Sequence, residues 1–305
     1  MKGKKVLVTG AAGFIGQNLV ERLLNEKAYV IAFDNLSYGK KENIAKFVNE
    51  MIIGDVTNKE DLDKVKDVDY IFHFGSPSSV ILFNKDPVGC FHATVCGFLN
   101  ILEWAKKKNI EKLVYASSGS VYGNSCIPQS EDIPPKPVNL YGVAKLTCET
   151  LAKKYFNEVP SIGLRIFAGY GPGEEHKGHF ASVITLFLKS IMNNQAPIIY
   201  GNGTQKRDFI YIDDIIDAII ASAKVNVKNT IINVGSGKSY SFNEVLDMIS
   251  NLLNKKVEPI YIGKPINYLE NTLADITKMR KILKISPISL KEGLKRYLSS
   301  QGLIN

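Results

Sequence analysis

Two rhythms of apolar residues alternate along the first half of the chain. Short continuous runs of strand length, rich in β-branched residues, occur at 5–9, 29–33, 51–54, 69–74, 112–116 and 161–167. Between them the spacing lengthens to a helical period. Phe14, Ile15, Leu19, Val20, Leu23 and Leu24 mark one such segment. Val88, Phe91, Val95, Phe98, Leu99, Leu102 and Trp104 mark another over 87–108, and Val143, Leu146, Leu151 and Phe156 a third over 141–156. Six strands alternating with helices predict an α/β fold with a doubly wound parallel sheet and right-handed crossovers. The pattern weakens over 168–182, a stretch rich in glycine and charge that reads as a hinge. Beyond it, helices are predicted at 182–193, 213–223, 242–253, 277–283 and 290–298, and short strands at 198–200, 208–212, 230–234 and 257–262.

The ends of the predicted strands carry the chemistry. The first runs straight into Gly10-Ala11-Ala12-Gly13-Phe14-Ile15-Gly16 and then a helix. Glycines let the backbone approach a ligand, and a helix N-terminus offers unpaired N–H groups to a diphosphate. The second strand ends in Asp34, about twenty residues further on, where an acid accepts hydrogen bonds from ribose hydroxyls and repels a 2′-phosphate. NAD, not NADP, is the expected cofactor. The domains expected are a Rossmann-type NAD-binding unit over 1–170 and a smaller α+β substrate unit over 171–305, with 208–234 able to return to the first.

At the start of the third helix, Tyr141 and Lys145 lie four apart and so share a face. A phenol with a pKa near 10 is a poor base at neutral pH. A positive charge ~5 Å away, at an effective dielectric of ~20, favours the phenolate by ~3 kcal/mol, or roughly two pKa units. An oxidised nicotinamide ring would push the same way, bringing tyrosine into range for proton exchange with a sugar hydroxyl.

Composition adds limits. A 45% hydrophobic, 22% charged chain of 305 residues has enough apolar material for a sizeable core. No uninterrupted apolar run approaches the ~20 residues of a membrane span, and the first residues lack the pattern of a signal peptide, so a cytoplasmic location is expected. Cys90, Cys96, Cys126 and Cys148 form no C-x-x-C pair and read as reduced thiols. The net charge of +8 comes mostly from scattered lysines, without the Arg-aromatic interleaving of a nucleic-acid surface. Neither membrane nor nucleic acid is an expected partner. In Gly173-Glu174-Glu175-His176-Lys177-Gly178-His179 the spacing of two His and two Glu fits no definite metal site, and the segment reads as a solvated or substrate-covering loop.

Several motifs in order resemble the extended short-chain dehydrogenase/reductases, specifically the NAD-dependent nucleotide-sugar epimerases and dehydratases. They are Thr9-Gly10-Ala11-Ala12-Gly13-Phe14-Ile15-Gly16, Asp34-Asn35-Leu36-Ser37, Gly54-Asp55-Val56 and Ser117-Ser118-Gly119-Ser120-Val121-Tyr122-Gly123. Tyr141-Gly142-Val143-Ala144-Lys145, Gly171-Pro172-Gly173, the run from Gly201 to Phe209, and Ala274-Asp275-Ile276 continue the series. The resemblance covers essentially the whole chain. It implies that Ser118 hydrogen-bonds the sugar 4-oxygen, that Tyr141 is the base, and that Lys145 lowers its pKa and holds the nicotinamide ribose. It implies cofactor contacts at Gly10, Gly13, Phe14, Ile15, Gly16, Asp34, Asn35, Ser37, Asp55, Val56, Phe74, Gly75 and Ser76. On the nucleotide-sugar side it implies Ser118, Ser120, Tyr141, Ala168, Arg207 and Lys264. Homodimers built on a four-helix contact, here through 87–108 and 141–156, are common in the family.

Departures from the family pattern narrow the reaction. Dehydratases carry Asp and Glu after the catalytic hydroxyl residue, and decarboxylases a Glu at the second place; here stand Gly119 and Ser120. That leaves 4-epimerisation as the expected reaction, with dehydration, decarboxylation or keto-sugar reduction as alternatives and a non-catalytic NAD- or RNA-binding member as a remote one. Ala168 and Thr94 replace family asparagines, and Lys264-Pro265-Ile266-Asn267 replaces Arg-Pro-Gly-Asp. The last change matters because lysine lacks the bidentate fork of arginine. A UDP-hexose is the expected substrate.

Overall fold

The structure, a computed structural model, describes residues 1–44, 48–264 and 268–304. The first half alternates as the apolar rhythm predicts. β1 (Lys5–Thr9) leads into α1 (Phe14–Asn25), β2 (Tyr29–Asp34), β3 (Glu50–Ile53), the short α2 (Lys59–Asp63) and β4 (Tyr70–His73). Then come α3 (Val80–Lys85), α4 (Pro87–Lys106), β5 (Lys112–Ser118), α5 (Leu140–Lys154) and β6 (Ser161–Ile166). After these follow β7 (Ala168–Tyr170), α6 (Val183–Met192), β8 (Ile198–Tyr200), β9 (Lys206–Tyr211), α7 (Ile212–Lys224) and β10 (Thr230–Val234). The chain continues through β11 (Ser239–Ser241), α8 (Phe242–Leu253), β12 (Ile260–Ile262) and α9 (Leu290–Ser300), with a π-helical turn at Met279–Leu283 before the last helix.

The main sheet has seven strands, not six, in the order β10-β6-β5-β4-β1-β2-β3, and every pairing in it is parallel. The seventh is β10, which returns from the second half and registers Thr230 to Val234 against Ile162 to Ile166. A three-stranded sheet, β11-β9-β7, and a two-stranded one, β12-β8, stand beyond its edge. Side chains alternate across the strands, so β1 sends Val6 and Val8 to one layer and Leu7 to the other. The first layer packs against α1 and α7 through Leu19, Leu23, Ile215 and Ile219; the second packs against α4 and α5 through Phe98, Ile101, Leu102 and Cys148.

Two readings of the sequence change here. By length and composition α4 is long and apolar enough to cross a membrane, although its apolar residues are not contiguous. Its burial accounts for that composition, since Phe98, Ile101, Leu102 and Ala105 lie in the core against the sheet. The stretch read as a hinge, 168–182, contains β7 and a 3-10 segment, Glu175–Phe180. Its glycines reach positive φ at Gly171, Gly173 and Gly178, which breaks the apolar period without leaving the chain structureless.

Candidate active site

A cavity of about 1650 Å³ opens beyond the C-terminal ends of β1, β2, β4, β5 and β6. This is where ligands bind in doubly wound sheets, because the strand order reverses at β1 and leaves a crevice. The glycine loop forms one wall. A Cβ on Gly10, whose φ is +69°, would lie 2.6 Å from the Phe74 and Gly75 backbone, and one on Gly16 would lie 1.9 Å from the Gly10 carbonyl oxygen. These two positions therefore require glycine. α1 starts at Phe14 with no side-chain cap on its Gly13 N-cap, so its first N–H groups are left to a ligand.

Asp34 is buried at the end of β2. Its carboxylate accepts N–H bonds from Ala12 (2.9 Å) and Leu36 (2.8 Å), while burial pushes its pKa above the ordinary value. Asn35 donates to Asp55 at 2.7 Å. Burial works against the Asp55 carboxylate, but donors from Thr57 and Asn35 outweigh it and hold its pKa below the ordinary value. Ser37, Val56, Phe74, Gly75 and Ser76 line the same wall. The cradle that any Cβ would fill, the open helix start and the acid at the β2 end fit a dinucleotide.

On the opposite wall, β5 ends at Ser118, whose Oγ accepts from the Ser120 N–H at 3.1 Å. Asn139 caps α5 through the Gly142 N–H (2.9 Å) and so sets where Tyr141 and Lys145 emerge. The Tyr141 phenol and the Ser118 hydroxyl line the same cavity, and Ser118 acts to lower the phenol's pKa. Lys145 lies with its ammonium 5.9 Å from the Tyr141 ring centroid and donates to Ser76 Oγ (2.8 Å) and the Ala116 carbonyl (3.2 Å). The expected depression of the phenol does not appear in the protein alone. Burial raises the Tyr141 pKa, the influence of Ser118 only partly offsetting it, and burial also lowers that of Lys145. Desolvation is the first cause for both groups because both are buried. Behind Lys145, the buried His73 accepts or donates at Thr9 Oγ1 (2.8 Å), and burial with the nearby ammonium pushes its pKa down to about 3.

One turn further along α5, Glu149 grips Arg165 of β6 with two bonds (2.8 and 2.7 Å) and accepts from Ser117 Oγ at 2.5 Å. Tyr141, Lys145 and Glu149 thus share one face, and the last of them ties α5 to the strands that carry the site.

The rest of the cavity runs toward the second half of the chain. Ser120, Ala168 and Arg207 line it. Arg207 stands between the rings of Tyr268 (5.1 Å) and Phe242 (5.5 Å), and donates to the Lys206 and Glu270 carbonyls (2.9 and 3.2 Å). Lys264, expected on the nucleotide-sugar side, is exposed, turned onto the Glu270 carboxylate at 2.7 and 2.8 Å, and is not among the lining residues. Pro265, Ile266 and Asn267, the rest of that tetrapeptide, lie outside the described residues. The sequence reading missed Ser78, Ser79, Phe180 and Tyr268, which also line the cavity. No local spacing marks them; they arrive there through tertiary packing. Glu174 is engaged by Ser182, Thr185 and Lys177, and the His176 Nδ1 by the Gly173 carbonyl.

Comparison with known proteins adds lineage to this geometry. The model of the NAD-dependent epimerase/dehydratase family matches residues 6–235. A UDP-glucuronate 4-epimerase of Thermodesulfobacterium geofontis is 34% identical over 96% of this chain and 94% of its own length. The solved UDP-N-acetylglucosamine 4-epimerase of Methanobrevibacter ruminantium M1, in complex with UDP-N-acetylmuramic acid, superposes with a TM-score of 0.93 at 32% identity, covering 99% of this chain and 100% of that one. The UDP-glucuronic acid 4-epimerase of Bacillus cereus, solved with UDP-glucuronic acid and NAD, gives 0.87 at 28% identity over 97% and 98%.

Proposed function

The chain belongs to the NAD-dependent epimerase/dehydratase family, and from that premise we propose that it is a nucleotide-sugar 4-epimerase acting on a UDP-hexose. The observation that carries the proposal is the convergence of Ser118, Tyr141 and Lys145 on one cavity wall while the two residues after Ser118, Gly119 and Ser120, offer neither acid nor base. Removing a 6-hydroxyl or a carboxylate needs such a group; inverting C4 does not.

Residues of the glycine loop with Asp34, Asn35, Ser37, Asp55, Val56, Phe74, Gly75 and Ser76 hold the dinucleotide. NAD, when bound, supplies reversible hydride acceptance at C4 and the positive ring that offsets the burial of Tyr141. The Tyr141 oxygen takes the proton of the 4-hydroxyl, and Ser118 Oγ fixes the 4-oxygen against it. Lys145, released from Ser76, holds the nicotinamide ribose. Arg207, stiffened by the two aromatic rings, binds the sugar's diphosphate, as a planar guanidinium does well. The same groups return the proton once the sugar has turned, for which the cavity has room.

Proton NMR of the protein with NAD and a panel of UDP-, dTDP-, GDP- and CDP-sugars tests the reading through the anomeric signals. Interconversion of gluco and galacto forms with no NADH build-up is expected, with UDP the preferred nucleotide, and Tyr141→Phe should abolish it. A 4-keto product, released carbon dioxide or stoichiometric NADH would overturn it.

A further inference from the structure

The segment from Gly173 to Ala181 has a built anchor. Glu174 is fully buried and accepts from the Ser182 N–H (2.8 Å), Ser182 Oγ (2.7 Å), Thr185 Oγ1 (2.7 Å) and Lys177 Nζ (2.9 Å). Four donors on one carboxylate tie the segment to the start of α6. On its other side the segment is stitched to α1. Gln17 Nε2 donates to the Gly173 carbonyl at 2.5 Å and Asn18 Nδ2 to the Pro172 carbonyl at 3.1 Å. Gly173, at φ +89°, holds a backbone conformation that favours glycine.

This places Lys177 beside the first turn of α1. Its ammonium lies 5.4 Å from the centroid of the Phe14 ring, and Phe14 is the residue on which the helix begins. Lys177, Gly13, Phe14 and Ile15 all line the cavity. The glycine loop has no Lys or Arg between Gly10 and Gly16, so a diphosphate bound there would meet N–H dipoles but no full charge from the loop itself. Glu174 takes up one of the three lysine protons, and its own charge is shared among four donors. His176 lines the same cavity. Its Nδ1 faces the Gly173 carbonyl at 2.9 Å; a carbonyl can only accept, so Nδ1 carries the hydrogen and Nε2 of the neutral ring is an acceptor.

We propose that the Glu174-anchored segment is a clamp on the cofactor, with Lys177 a cationic contact to the dinucleotide's diphosphate. The inference rests on the NAD-binding reading above. A nucleotide sugar also carries a diphosphate, but Phe14, over whose ring the lysine lies, belongs to the dinucleotide wall.

The experiment is calorimetric titration of the full chain, freed of bound nucleotide, with NAD, ADP-ribose, adenosine and UDP. Lys177→Met should weaken NAD and ADP-ribose by about tenfold or more, the range of a charge-assisted hydrogen bond, and leave adenosine and UDP within twofold. Lys177→Arg should retain most of the affinity, and the salt dependence of NAD binding should be shallower in Lys177→Met than in the wild type. Thermal melts show whether the variant is folded; Glu174 keeps three donors without the lysine. NAD affinity unchanged in a folded Lys177→Met overturns the proposal. So does a loss for UDP instead of NAD, which assigns the lysine to the substrate, or an equal loss for adenosine, which makes it structural. Failure of the wild type itself to bind NAD would instead sink the cofactor reading on which the clamp depends.

Discussion

Tyr141 is poised between burial, which keeps its proton on, and the influence of the Ser118 hydroxyl, which helps take it off. Only the phenolate can act as base, so activity falls as pH drops through the phenol's pKa. In the proposed reaction the acid limb of kcat against pH reports that pKa with ligands bound. Replacing Lys145 by Met removes a cation and should move the limb to higher pH, along with a loss of kcat on the order of 10²–10⁴-fold. A limb that stays in place would mean that the lysine acts only through the ribose. Much of this residue-level picture is legible in the sequence because it depends on short spacings: glycines after a strand, an acid at the next strand end, a tyrosine and lysine one helical turn apart. What is not legible is set by packing. Spacing does not foretell that Lys264 pairs with Glu270, six residues on, and nothing near Lys177 foretells that Phe14 lies under it. Nor does spacing reveal that burial dominates at Tyr141.

At the scale of elements, Glu149 and Arg165 hold α5 against β6 as a fully buried pair, with side chains 8% and 5% exposed. Removing one partner strands the other charge in the core. Arg165→Met should therefore cost about 3–5 kcal/mol by urea unfolding, while Glu149→Leu combined with Arg165→Met should recover a good part of it. An additive loss in the double variant would show that the two side chains do not act as a pair. At the start of α7, burial raises the Asp214 carboxyl to about 6, although it accepts an N–H bond from Ile288 at 3.1 Å. A carboxyl raised in the folded state binds its proton more tightly there than in the unfolded chain. Stability is therefore lost as pH rises from about 4 to about 6. Asp214→Asn should stabilise the protein by about 1–2 kcal/mol at pH 7.5 and leave it nearly unchanged at pH 4, as read from thermal melts at the two values. Helices and strands of this kind were largely legible, since each spans several periods. The short β7 and β11 were not: three residues carry no period, and their pairing partner β9 makes them strands.

For the whole molecule, the sheet order follows from the alternation of strands and helices, but the seventh strand needed the fold to identify it. Thr230 to Val234 reads as a short strand in either half; burial of Ile232 and Val234 against the first-layer core decides for the large sheet. Leu140, Phe156 and Val88 remain exposed on or beside α4 and α5, at 48%, 50% and 80%. With the family resemblance, they lead to the expectation of a homodimer through these helices. Light scattering should give twice 33.8 kDa, and a mass of one chain at micromolar concentration would remove the dimer.

The lateness of β10 has a consequence for how the protein is made. On the ribosome, β6 is finished well before β7, α6, β8, β9 and α7 have been delivered, and only then does its neighbour emerge. Throughout that interval the nascent chain presents the backbone edge of Ser161–Ile166, free to pair with any other strand it meets. Premature termination anywhere before Thr230 would make that exposure permanent, so truncated chains should be found in aggregates even though β1 to β6 are complete in them.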